Sequence, residues 1–137
     1  MDKSQEYILM CEKAEEIQKS YKNEPDENGH IDKEWNVGDV LFRYGEVEVS
    51  SYEGDYGLPD RQDGEVWLPR QDQLQEMINE VNYHKVWNFY EFVMDDIGSE
   101  SKKSMEQLWL AYVMRHKYNK IWSEKDWIKK ERKWKSK

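Results

Sequence analysis

Residues Leu108 to Met114 read Leu-Trp-Leu-Ala-Tyr-Val-Met, seven consecutive apolar or aromatic residues. Ser104-Met-Glu-Gln107 lies just before them and fits the S-x-x-Q capping box. In that motif the Ser oxygen takes a first-turn N–H and the Gln reaches back to the cap. Together they predict a helix over 104–119. A helix apolar on every side must be buried on every side. This one is therefore expected at the centre, with three or four helices packed around it. Arg115, His116, Lys117 and Lys120 then fall at the negative end of its dipole.

The rest of the chain is far more polar. Charged residues make up 36%, against a usual share of about 25%, and the mean hydropathy is -1.14. Such a balance normally favours disorder. The 7 Trp, 9 Tyr and 3 Phe argue for a core, because large rings bury much area per residue. A length of 137 residues suits one domain. The composition excludes a collagen, a coiled coil, a disulfide scaffold and an integral membrane protein. With one cysteine, Cys11, no intramolecular disulfide can form. The first twenty residues hold no apolar run of signal-peptide length. Residence in the cytoplasm is the expectation.

Tyr7, Met10, Cys11, Ala14, Ile17, Gln18 and Tyr21 recur at helical spacing and predict a helix over 4–22, with Ser4 as its cap. Only Gln18 breaks that apolar stripe, and Cys11 reads as a small core residue. Pro25, Asn28 and Gly29 make 23–34 a loop. Its acidic spacing lacks the pattern of a calcium loop. Residues 36–69 read as a small antiparallel sheet with strands at Val37–Tyr44, Glu46–Tyr52 and Glu65–Leu68 and a tight turn at Gly45. Residues 70–97 read as helix, broken near Asn82 and ended by Gly98. Leu74, Met77, Ile78 and Val81 form its first apolar stripe. Val86, Trp87, Tyr90, Val93, Met94 and Ile97 form the second. Beyond 120 the chain is a basic tail in which Trp122 and Trp127 are expected to fold back on the core. The class predicted is α+β in a single domain spanning 1–137. It carries an acidic loop and sheet insert over 23–69 and a basic aromatic tail over 120–137.

Charge is unevenly spread. Residues 24–100 hold 20 acidic against 5 basic side chains, whereas residues 101–137 hold 4 against 12. The acidic body repels nucleic acid and attracts basic surfaces. The plainer reading, that these acids keep a Trp-rich protein soluble, stands beside it.

No motif for catalysis emerges. The seven glycines make no phosphate-binding loop. Cys11, His30, His84 and His116 have no zinc-ligand spacing. No G-x-S-x-G elbow occurs, and the paired carboxylates Glu15/Glu16, Glu46/Glu48 and Asp95/Asp96 suit solvated faces. No enzyme activity, cofactor or metal is expected. Arg70, Gln71, Gln73 and Gln75 can read base edges, and an ordinary polar helix start explains them equally.

Four segments resemble known sequences: Met10-Cys-Glu-Lys-Ala-Glu-Glu-Ile-Gln18, Trp67-Leu-Pro-Arg-Gln-Asp-Gln-Leu-Gln75, Glu106-Gln-Leu-Trp-Leu-Ala-Tyr-Val-Met114 and Lys117-Tyr-Asn-Lys-x-Trp122. They are similar to small hypothetical proteins encoded in bacteriophage and prophage genomes. The likeness covers the helical parts of the chain and brings no activity, cofactor or catalytic residue. It implies a setting in which small accessory proteins bind and block host enzymes, including defence nucleases of the CRISPR kind.

Two functional classes follow. In the first, the chain is an anti-CRISPR-like accessory protein without catalysis that inhibits a host nucleic-acid enzyme. Glu46, Glu48, Glu53, Asp55, Asp60, Asp63 and Glu65 would form the acidic surface that meets a basic partner. In the second, it binds nucleic acid through Lys117, Lys120, Lys129, Lys130, Arg132, Lys133 and Trp134. A structural or replication helper is a third class, not separable from the first by sequence. No membrane partner is expected.

Overall fold

The computed structural model describes residues 2–20, 39–43, 45–49, 65–98 and 102–129. The architecture is α+β, as the sequence predicts. Its contacts divide it into two compact units, one of residues 3–70 and one of residues 71–137 with 1–2.

In the first unit, Ser4 starts helix α1 (Gln5–Lys13), its Oγ accepting the Tyr7 N–H at 3.2 Å. The helix predicted over 4–22 is two helices. Ala14 leaves the helical region at φ -83° and ψ 73°, and α2 (Glu15–Ser20) restarts beyond it. The Ala14 N–H still bonds back to Met10 and Cys11, so the kink leaves no orphan donor there. Tyr7, Met10, Cys11, Ala14 and Ile17 are fully buried.

The sheet contains β1 (Val40–Arg43), β2 (Glu46–Val49) and β3 (Val66–Leu68) in the order β2-β1-β3, all antiparallel. Gly45 turns β1 into β2 with φ +79°, a conformation glycine adopts without a Cβ penalty. Val40 pairs with Val49 on one side and Leu68 on the other. Helix α1 packs on β3, all three residues of which are buried, and Tyr7 Oη donates to the Pro69 carbonyl at 2.5 Å. None of the four β2 residues is fully buried, and Val49 is exposed on this edge strand. The predicted loop 23–34, and the strand ends beyond β1 and β2, lie outside the described residues.

The second unit is built on α5 (Met105–Tyr118). Ser104 caps it, accepting the Gln107 N–H at 3.1 Å, and Asn119 closes it in the left-handed region at φ 57°. Trp109 to Met114 are six successive buried residues, as an all-round apolar helix requires. Helix α3 (Gln71–Glu76) packs against α5 and buries Leu74. After the break at 77–81, α4 (Asn82–Phe92) begins at the predicted Asn82 and runs into a π-helical turn, Val93–Ile97. Gly98, at φ +103°, ends it with its N–H on the Val93 carbonyl.

The apolar stripes of this region do not all face the core. Of the second apolar stripe, Val86, Trp87, Tyr90 and Met94 are exposed, as is Val81 of the first. Phe89 and Phe92 face α5 instead: Phe89 stacks on Trp109 at 3.9 Å and Phe92 meets Tyr112 at 5.4 Å.

The described part of the basic segment is a hairpin, β4 (Lys120–Trp122) with β5 (Trp127–Lys129). Trp122 and Trp127 lie 5.1 Å apart across it; Trp127 is buried and Trp122 half-buried.

Candidate docking surface

Helix α4 has two aromatic faces, and its chemistry sorts them. Lys85, Asn88, Phe89 and Phe92 recur at helical spacing on the inner side. Phe has no polar atom, so it gains most by full burial. The polar members of this row are satisfied. Asn88 Nδ2 donates to Glu80 Oε2 at 2.8 Å, and Lys85 Nζ donates to the Gln75 carbonyl at 2.8 Å. Glu80 also receives the Tyr112 hydroxyl on Oε1 at 3.3 Å, which ties the start of α4 to α5. Burial first, then the Glu80 charge and this bond, push the Tyr112 phenol up to about 12.

The outer row is Tyr83, Val86, Trp87, Tyr90 and Met94, with 73%, 60%, 60%, 53% and 41% of their surface exposed. The Trp87 and Tyr90 rings lie 5.9 Å apart, tilted by 34°. Asn82, Tyr83, Val86, Trp87 and Tyr90 line a shallow groove along the helix. Single exposed apolar residues need no explanation, but a contiguous apolar row marks an interaction surface. Trp and Tyr are also the residues that dominate binding energy at protein interfaces. Beyond this row, Glu91, Asp95 and Asp96 are exposed and make the helix end acidic.

The acidic residues expected to form a partner surface fare unevenly. Glu46 is exposed on β2, directly across from Arg43 in the register. Glu48 is half-buried opposite Leu41. Glu65 is only 8% exposed and so offers nothing to an exposed face. Glu53, Asp55, Asp60 and Asp63 lie outside the described residues. Among the basic residues, Lys117 is exposed with its Nζ 5.9 Å from the Tyr118 ring centre. Lys120 and Lys129 face each other across the hairpin. Lys130, Arg132, Lys133 and Trp134 lie outside the described residues.

The remaining polar candidates have structural neighbours. Arg70 pairs with the buried Asp39 at 3.7 Å. Gln71, Gln73 and Gln75 sit half-buried on or beside the first turns of α3. His84 and His116 are exposed beside Tyr83 and Tyr112. Cys11 is fully buried in α1. Among the described residues no three His, Cys, Asp or Glu side chains gather in a way that holds a metal ion. No helix among them is long and apolar enough to cross a membrane.

Sequence reasoning named the Trp and Tyr stripe of α4 as apolar and did not find that it is the exposed face. The usable signal was the parallel row of Phe residues, which competes for the same burial and has no polar tip to keep wet. Compared with protein-family models, curated proteins and solved structures, the chain matches none.

Proposed function

We propose that this chain is an accessory binding protein without catalysis, of the phage-encoded kind, that blocks a host nucleic-acid enzyme such as a defence nuclease. The observation that carries the reading is the exposed Tyr83–Met94 row of α4 with acidic Glu91, Asp95 and Asp96 at its end. Aromatic anchors supply affinity when a partner desolvates them. An acidic rim selects a cationic partner and speeds its encounter. Enzymes that hold nucleic acid present such cationic surfaces. The excess of acids over residues 24–100 points the same way.

The test uses the full chain as bait in a lysate of the bacterial host. At about 50 mM salt, where screening is weak, it retains a cationic nucleic-acid enzyme whose activity it inhibits. High salt releases that enzyme, and a Trp87→Ala bait fails to hold it. A wild-type bait that retains no cationic protein at low salt overturns the reading.

The hairpin favours a second reading, binding of nucleic acid. Its register sets Lys120 directly opposite Lys129, with Trp122 and Trp127 adjacent. Two cations on one face of the hairpin beside two rings offer a contact for a phosphate and a surface for a base to stack on. Gel shifts with single-stranded DNA and RNA at low salt, lost in a Lys120→Glu/Lys129→Glu variant, support it. The absence of any shift ends it.

A further inference from the structure

The outer row of α4 runs from Tyr83 to Met94, about 17 Å at 1.5 Å per residue. Its members fall at i, i+3, i+4, i+7 and i+11, the spacing by which one helix packs its side chains on another. The described ionisable groups along this segment set the sign of whatever covers it. Glu91, Asp95 and Asp96 are exposed. Glu80 is held by Asn88 and Tyr112, and the Lys85 ammonium is turned to the Gln75 carbonyl. His84 is exposed but packs edge-on against Tyr83 at 4.3 Å. The face thus combines aromatic anchors with exposed carboxylates at one end.

We infer that the Tyr83–Met94 face of α4 is the seat of a cationic amphipathic helix from another protein. Apolar side chains of that helix enter the groove over Val86, Trp87 and Tyr90, while its Lys and Arg residues meet Glu91 and Asp95, which flank the row four and eight residues beyond Trp87. The inference rests on the docking role proposed above and specifies what docks. A second copy of this chain fits less well. An antiparallel pair of α4 helices sets Asp95 and Asp96 of each copy against the Glu80–Asn82 end of the other, which brings no cation. A parallel pair sets acid against acid. An anionic lipid surface is repelled by the same carboxylates.

The test uses a Leu/Lys amphipathic peptide of about 18 residues, five helical turns, carrying a fluorescent label. Anisotropy at low salt is expected to show saturable one-to-one binding. Trp87→Ala/Tyr90→Ala weakens it by about tenfold or more. Glu91→Gln/Asp95→Asn weakens it to a similar extent, and a Leu/Glu peptide of the same pattern does not bind. Trp87 and Tyr90 are exposed, so these variants keep the wild-type urea midpoint. No binding overturns the inference, and so does binding indifferent to Trp87 and Tyr90. A concentration-dependent dimer that Trp87→Ala abolishes also overturns it, because a second copy then covers the face. If the peptide fails while the lysate bait still retains a Trp87-dependent partner, the helix is wrong and the docking role stands. If both fail, both are wrong.

Discussion

Gln18 stands where a fourth strand would and holds both main-chain polar groups of Trp67. Its Oε1 accepts the Trp67 N–H at 2.9 Å, and its Nε2 donates to the Trp67 carbonyl at 2.8 Å and to the Cys11 carbonyl at 3.1 Å. Strand β3 lies at the edge of its sheet. An edge strand leaves N–H and C=O groups that invite pairing with another chain. A side-chain amide has one donor side and one acceptor side, as a peptide unit has, so Gln closes this edge locally. The kink at Ala14 sets off the short helix from which Gln18 makes these bonds.

Replacing Gln18 by Ala is expected to lower stability by about 2 kcal/mol, since three hydrogen bonds are lost and the Trp67 groups are left to partial hydration. Gln18→Glu keeps the acceptor and loses the donor, so it falls between. Urea denaturation with an unchanged m-value measures both. A shift below about 0.5 kcal/mol for Gln18→Ala contradicts the edge-closing role.

The two faces of α4 separate cleanly under truncation. Phe89→Ala empties the space stacked on Trp109 and is expected to cost about 3–4 kcal/mol. Trp87→Ala, on the exposed face, changes stability by less than about 0.5 kcal/mol. The urea midpoints of the two variants check this, and a costly Trp87→Ala returns that ring to the core.

Tyr112 gives a pH signature. Its phenol is raised from 10.0 to about 12, by burial first and by Glu80 second. The raised value means that the folded state favours the protonated phenol. That contribution to stability is intact below pH 10 and is lost as the pH climbs from 10 to about 12. Ultraviolet titration of the tyrosinates shows one late-ionising ring. In Glu80→Gln its midpoint falls but stays above 10, because burial persists. A midpoint that does not move removes Glu80 as a cause.

The ends of α5 test capping. Ser104→Ala removes the acceptor for the Gln107 N–H and a hydroxyl that donates to Asp2, and costs about 1 kcal/mol. At the other end, Asn119 holds φ 57°. Asn119→Gly is expected to stay within a few tenths of a kcal/mol, and Asn119→Ala to cost about 1 kcal/mol. Thermal melts of the three variants decide it, and equal melting of Gly and Ala variants at 119 removes the backbone argument.

Local signals carried most of the elements. The capping box at Ser104, the seven-residue apolar run, the break at Asn82 and the turns at Gly45 and Gly98 each act within a few residues, so they are legible one segment at a time. The kink at Ala14 was not legible, because alanine is the best helix former. It turns the chain there while the next helix bonds Trp67, 49 residues beyond Gln18. The candidate site was legible only as composition: the sequence placed negative charge in the middle of the chain, and the structure buries Glu65 while exposing Trp87.

The sequence by itself determined the α+β class, the caps of α1 and α5 and the burial of α5, since each follows from periodicity, caps and turn chemistry over short stretches. Only the tertiary structure decided which side of α4 meets α5. Both of its faces are apolar enough to be buried, and the choice fell to Phe89 because its ring stacks flat on Trp109, a partner twenty residues away that no local pattern reveals.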